Sequence, residues 1–157
     1  VKGLMMFNDR ITLLLQPLRV PAGWKVTYNQ FYRIDPKELL TLEDSEHKKN
    51  LVSYLEEDMF QAVHEKTKIS LDLGWGPAGD LYNGRFRATL VKPCKPDLEH
   101  MPWHEREYDY DWDNPLEQLQ TETLEDAISF LETSMQNTTN GKYGLSLSCF
   151  ISDSEKV

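Results

Sequence analysis

Ile69-Ser70-Leu71-Asp72-Leu73-Gly74-Trp75-Gly76-Pro77-Ala78-Gly79-Asp80-Leu81-Tyr82-Asn83-Gly84-Arg85-Phe86-Arg87-Ala88-Thr89-Leu90-Val91-Lys92 is the stretch that decides the fold. Ile69, Leu71 and Leu73 alternate with Ser70 and Asp72, so residues 68–74 read as a strand with one core-facing row. The glycines and proline around Trp75 interrupt that strand and demand a sharply shaped loop. After Asn83-Gly84 the alternation resumes over residues 85–92, with Phe86, Ala88 and Leu90 inward and Arg85, Arg87 and Thr89 outward. Two antiparallel strands around a structured loop follow from this pattern, the loop being longer than a two-residue hairpin.

Upstream, Trp24-Lys25-Val26-Thr27-Tyr28-Asn29-Gln30-Phe31-Tyr32-Arg33-Ile34 reads as strand, with a turn or bulge near Asn29 and Gln30 and a stop at Asp35-Pro36. Before it, the apolar residues between Leu4 and Leu15 suit an edge strand or a short packed helix that Pro17 and Pro21 terminate. Residues 45–65 carry a helical stripe of Val52, Leu55, Met59, Ala62 and Val63, with Ser45 or Asp44 as cap. A second helix is expected over residues 122–136, with Thr123 as N-cap, Asp126 as its reciprocal partner, and an apolar face of Leu124, Ala127, Ile128, Leu131 and Met135. Asn140-Gly141 then turns the chain into a last strand over residues 143–150, and the hydrophilic tail frays. The expectation is one α+β domain over residues 1–157, a mainly antiparallel sheet packed against two helices.

Composition narrows the function. The 157 residues weigh 18.3 kDa, and 17 Lys plus Arg against 26 Asp plus Glu give a net charge of −9. Such a chain repels a polyanion, and a basic stripe with interleaved stacking aromatics is absent, so direct nucleic-acid binding is not expected. The opening apolar segment is too short and too mixed for a membrane span or an export signal, which predicts a soluble, cytoplasmic protein. Cys94 and Cys149 form neither a compact metal motif nor a redox pair and read as reduced structural thiols, the alternative being one disulfide that ties the C-terminal segment to the middle of the chain. Asn137-Thr138-Thr139 matches a glycosylation acceptor only as a three-residue coincidence without such a signal.

The strongest functional clue is the acidic, aromatic interval 97–117, in which Arg106 is the only basic Lys or Arg residue. Glu105, Glu107, Asp109, Asp111 and Asp113 recur at every second position and, in an extended chain, lie opposite Arg106, Tyr108, Tyr110 and Trp112. That face attracts a basic partner, while Trp103, Tyr108, Tyr110 and Trp112 supply contact area at low entropic cost. The blander reading is a solvated loop whose aromatics cover a small core. In the glycine-rich loop, Trp75 either seals an edge or joins Asp80 and Tyr82 as an interaction knob.

No cofactor or metal is expected. A calcium loop begun at Asp109 meets Asn114-Pro115 where it needs glycine and Gln120 where it needs a bidentate Glu. Cys94, His100 and His104 lack a zinc spacing and a fourth ligand. His47 and His64 read as surface or helix-face residues rather than a catalytic pair. No nucleophile elbow, phosphate loop or dinucleotide fingerprint occurs, and the acidic run alone fixes no acid–base geometry, so an enzyme is not the expectation.

Gly23-Trp24-Lys25-Val26, Asp72-Leu73-Gly74-Trp75-Gly76-Pro77, Gly79-Asp80, Gly84-Arg85-Phe86, the Trp112-Asp113-Asn114-Pro115-Leu116 turn and the helix near Thr123 together resemble small bacterial immunity proteins of polymorphic or contact-dependent toxin systems. The resemblance spans much of residues 20–136. It implies a cytoplasmic neutraliser that binds a cognate toxin domain, often a nuclease with a basic surface, and blocks its active site. It carries no family interface onto this chain. Trp75, Asp80, Tyr82, Trp103, Glu105, Glu107, Tyr108, Asp109, Tyr110, Asp111 and Trp112 are nominated from their own charge and aromatic character. The competing readings are a small enzyme with a pocket assembled from sequence-distant residues and a homo-oligomerisation module.

Overall fold

The computed structural model describes residues 5–7, 10–94 and 109–144. Its centre is a five-stranded antiparallel sheet of β3 (Trp24–Asn29), β4 (Phe60–His64), β5 (Ser70–Gly76), β6 (Arg85–Val91) and β9 (Glu117–Thr121), paired in that order. Two small two-stranded sheets accompany it, β1 (Met5–Phe7) with β2 (Arg10–Thr12) and β7 (Pro93–Cys94) with β8 (Asp109–Tyr110). Helices α1 (Pro36–Leu40), α2 (Glu46–Val52) and α3 (Leu124–Thr139) complete the described part of a mixed α+β fold.

β5 and β6 form the pair that the alternation predicts. Their register places Leu71 opposite Leu90, Leu73 opposite Ala88 and Trp75 opposite Phe86, so one face of both strands is apolar throughout. α3 lies on that face against β4, β5, β6 and β9, burying Ala127, Leu131 and Met135. Phe31, Leu39, Leu51 and Leu55 join the same core, so all three helices serve one side of the sheet. The Trp24 indole N–H donates to the Met135 carbonyl at 3.0 Å, tying the β3 edge to the helix.

The helix expected over 45–65 is corrected. Only residues 46–52 are helical, with the Ser45 hydroxyl accepting from the Lys48 amide as N-cap. Residues 60–64 are strand, because Phe60, Ala62 and His64 also alternate, Phe60 and Ala62 pairing with Leu73 and Leu71 on β5 and His64 with Trp24 on β3. Non-local pairing outweighs the local 3.6-residue pattern here. The two-helix expectation is likewise revised by α1. Asp35-Pro36 does end an extended segment, but it also starts a helix, with Asp35 Oδ1 accepting from Lys37 N and Pro36 at the first turn, where no donor is lost.

α3 begins two residues after the expected start, at Leu124, and runs three residues past position 136. Thr123 occupies the N-cap position without a side-chain cap bond. The Thr121 hydroxyl instead bridges Thr123 Oγ1 at 3.0 Å and Asp126 Oδ2 at 3.1 Å, fastening the end of β9 to the first turn of the helix. The opening apolar segment forms the β1–β2 pair, and the strand expected over 143–150 falls largely outside the described residues.

Leu131 is fully buried under the sheet, whereas Ser129 on the same helix is exposed. Leu131→Ala should lower stability by about 2–5 kcal/mol through lost burial and a residual cavity. Ser129→Ala should stay within roughly 0.5 kcal/mol. Urea unfolding of the two variants measures both, and equal losses would contradict this packing of α3.

Candidate functional site

The loop between β5 and β6 is built around Trp75. Its ring meets Phe86 edge-on at 5.0 Å, and its indole N–H donates to the Asp80 carbonyl at 3.0 Å. Gly84 is required beneath it, since a Cβ there would collide with Trp75 Nε1 and the Asp80 carbonyl. Trp75 is 1% exposed, so it seals the end of the core; as a projecting knob it is corrected by its burial. Asp80 has a structural duty as well. Its Oδ1 accepts the amides of Tyr82 and Asn83 at 3.2 and 2.9 Å, and these bonds hold its carboxyl below the ordinary range.

Tyr82 does project, at 72% exposure. It borders a groove of about 680 Å³ between α2 and residues 78–82, with Lys48 and Val52 on the opposite wall. Lys48 Nζ donates to the Leu42 carbonyl and to Asp44 Oδ1, both at 3.1 Å, and lies 5.9 Å from the Tyr82 ring centre. Its charge is therefore already engaged inside the fold.

The second nominated cluster lies at the other end of the sheet. Asp109 and Tyr110 pair with Cys94 and Pro93, Asp111 N donates to the Lys92 carbonyl, and Leu116 N donates to the Leu90 carbonyl. The seven residues of β6 separate this end from the Trp75 loop by roughly 20 Å, at about 3.3 Å per residue. Asp80 and Tyr82 therefore do not share a patch with Asp109, Tyr110, Asp111 and Trp112. Trp103, Glu105, Glu107 and Tyr108 lie outside the described residues.

The extended alternation expected through Asp113 ends early. β8 stops at Tyr110, and Asn114 folds the chain back through its amide to the Asp111 carbonyl and its Nδ2 to Asp111 Oδ1, both at 3.2 Å. Asp109, Tyr110 and Asp111 are half-buried, and Asp111 lies 4.0 Å from Lys92 Nζ. Trp112 is 49% exposed, its ring 6.2 Å from Tyr110, and Asp113 is exposed beside it. Cys94 is a free thiol raised by burial and by the charges of Asp109 and Asp111, which disfavours a reactive thiolate. His64 sits on β4 rather than on a helix face, buried against Trp24 and bonded to Thr67 Oγ1 at 2.8 Å; burial lowers its proton affinity.

A further group of residues emerges only in three dimensions. On the sheet face away from α3, register aligns Tyr28, Gln61, Asp72, Thr89 and Gln118 in one row across all five strands. Tyr28 joins that row because a register shift between Val26 and Tyr28 changes the face it presents. Asp72 lines two recesses. One, of about 460 Å³, includes Thr27, Tyr28, Asp58 and Gln61; the other, of about 450 Å³, includes Glu57, Gly74, Gly76 and Arg87. Gly74 permits the second, because a Cβ there would strike the Glu57 carbonyl.

No protein-family model, curated protein or solved structure matches the chain. Among the described residues, no three His, Cys, Asp or Glu side chains are grouped to hold a metal ion, and no helix is long and apolar enough to cross a membrane.

Burial raises the Asp72 carboxyl above the ordinary Asp value of 3.8, and the Asp58 charge adds to the rise. Below that ordinary value both folded and unfolded chains hold the proton and no penalty exists. As pH rises through the folded value, the unfolded chain ionises first and stability is lost. Asp72→Asn should therefore be more stable than the parent at pH 7, with the difference vanishing near pH 3. Denaturant unfolding at both pH values checks the sign; a constant difference would refute a buried-charge penalty at Asp72.

Proposed function

We propose that this chain is a cytoplasmic immunity-type protein that binds a basic toxin domain, a nuclease being the leading class, and occludes its active site. The observation that carries the reading is Trp112, a half-exposed indole flanked by Asp111 and Asp113 at one end of the sheet, in a chain of net charge −9. A large exposed aromatic among carboxylates suits a surface that steers a basic partner by charge and retains it by desolvated contact. Inhibition needs no chemistry from this chain in such a mechanism. It needs a folded acidic platform that competes with the toxin's own anionic substrate.

The immunity-protein resemblance supports the partner class, and the position of Trp112 beyond the end of β8 supplies the anchor. Asp109 and Asp111 contribute to the field but also hold the β7–β8 end together, through strand pairing and the turn to Asn114. Asp113, exposed and without those duties, is the cleaner charge to reverse.

The test mixes the purified chain with toxin domains encoded beside it and measures complex formation and residual toxin activity. A stoichiometric complex that abolishes activity is expected. Trp112→Ala and Asp113→Lys should each weaken it by roughly tenfold without changing thermal unfolding. Undiminished affinity in folded variants would remove this end of the sheet from the interface, and no inhibition by any neighbouring toxin domain would overturn the function.

A further inference from the structure

We propose that the recess bounded by Tyr28, Asp58, Gln61 and Asp72 is a receptor for an arginine side chain of the bound protein. The assignment rests on the protein-binding reading above and names what that partner presents to a second part of the surface.

The recess lies on the sheet face opposite α3, where β3, β4 and β5 run side by side. It encloses about 460 Å³, enough for one long side chain to enter from solvent. Tyr28 is 37% exposed and supplies an aromatic wall. The Thr27 hydroxyl contacts both the Gln61 carbonyl and Gln61 Oε1 at 3.2 Å, which fixes the amide at the rim. Asp58 and Asp72 give the recess its charge. Neither carboxylate forms an ion pair among the described residues.

Arg87 shares the second recess with Asp72 but forms no ion pair with it. Its guanidinium covers Gly76, with Nε and Nη1 3.0 Å from where a Cβ would stand. That arrangement leaves the half-buried Asp72 and the exposed Asp58 lining the same concavity, with no cation paired to either among the described residues. An external cation relieves both their mutual repulsion and the cost of Asp72's partial burial.

The shape selects guanidinium over ammonium. A planar guanidinium can stack on the Tyr28 ring and direct its donors in a fork toward Asp58 and Asp72, whereas a compact, strongly hydrated ammonium satisfies fewer of these contacts at once. An arginine-bearing segment of a basic protein is thus the occupant that fits both the charge and the aromatic wall.

Titration of the isotopically labelled full chain with N-acetyl-arginine amide, followed by amide NMR, tests the receptor without a toxin. Saturable shifts centred on Tyr28, Gln61 and Asp72 are expected, weaker by about tenfold in affinity for Asp72→Asn and weakened also in Tyr28→Leu, both of which should melt as cooperatively as the parent. N-acetyl-lysine amide should bind more weakly at the same residues. Shifts that fail to saturate, that centre instead on the Trp112 end, or that persist in folded Asp72→Asn would overturn the receptor; equal binding of the lysine probe would overturn the choice of arginine. Saturable arginine binding in a chain that inhibits no toxin domain would retain the recess and defeat the function, whereas toxin inhibition without arginine binding would do the reverse.

Discussion

The packing of Trp75 against Phe86, with its indole N–H on the Asp80 carbonyl, is the constraint on which the rest of the structure depends. It closes one end of the core and fixes the course of the chain between the two central strands. Two glycines make it possible. Gly84 leaves space for the indole, and Gly74 lets the Glu57 backbone approach β5, where Trp75 N also donates to the Glu56 carbonyl at 2.7 Å. The acidic run 56–58 is held against the sheet by these bonds and by Met59 N on the Leu73 carbonyl, and so Asp58 comes to stand beside Asp72.

From that pairing follows a sheet with two unlike faces. One is filled by α3 and by the residues around α1 and α2, in a single apolar cluster that runs from Trp24 to Met135. The other carries Gln61, Asp72, Arg87, Thr89, Gln118 and Gln120, residues that keep one side of each strand polar. A carboxylate such as Asp72 costs stability when half-desolvated, and apolar or amide substitutes would fold at least as well at neutral pH.

Much of the fold was legible in the sequence because its central strands carry strong local signals. The alternation of Ile69, Leu71 and Leu73 with Ser70 and Asp72, and of Phe86, Ala88 and Leu90 with Arg85, Arg87 and Thr89, announces β5 and β6 with no tertiary information, although β5 runs on through Trp75 to Gly76, where the sequence places the loop. The stripe of Ala127, Leu131 and Met135 does the same for α3. β4 was obscured because Met59, Ala62 and Val63 satisfy a helical period while Phe60, Ala62 and His64 satisfy a strand period, and only pairing with β5 decides between them. β9 hid for another reason: Glu117-Gln118-Leu119-Gln120-Thr121 has little intrinsic strand character and exists because β6 offers it an edge. The site divides along the same line. Tyr82 and Trp112 were visible as aromatics in loops, but Tyr28, Asp58 and Asp72 become neighbours only through strand register and a bulge, which no spacing along the chain encodes.

Hydrogen–deuterium exchange of the chain, free and mixed with the toxin domain proposed as its partner, tests the central claim that the polar sheet face bearing Asp72 and the Trp112 end form the binding surface. Slowed exchange is predicted for peptides covering residues 26–29, 57–62 and 110–115, with the solvent side of α3 around Glu125, Ser129 and Glu132 unchanged. Protection confined to α3, with those three segments exchanging as in the free chain, would contradict it.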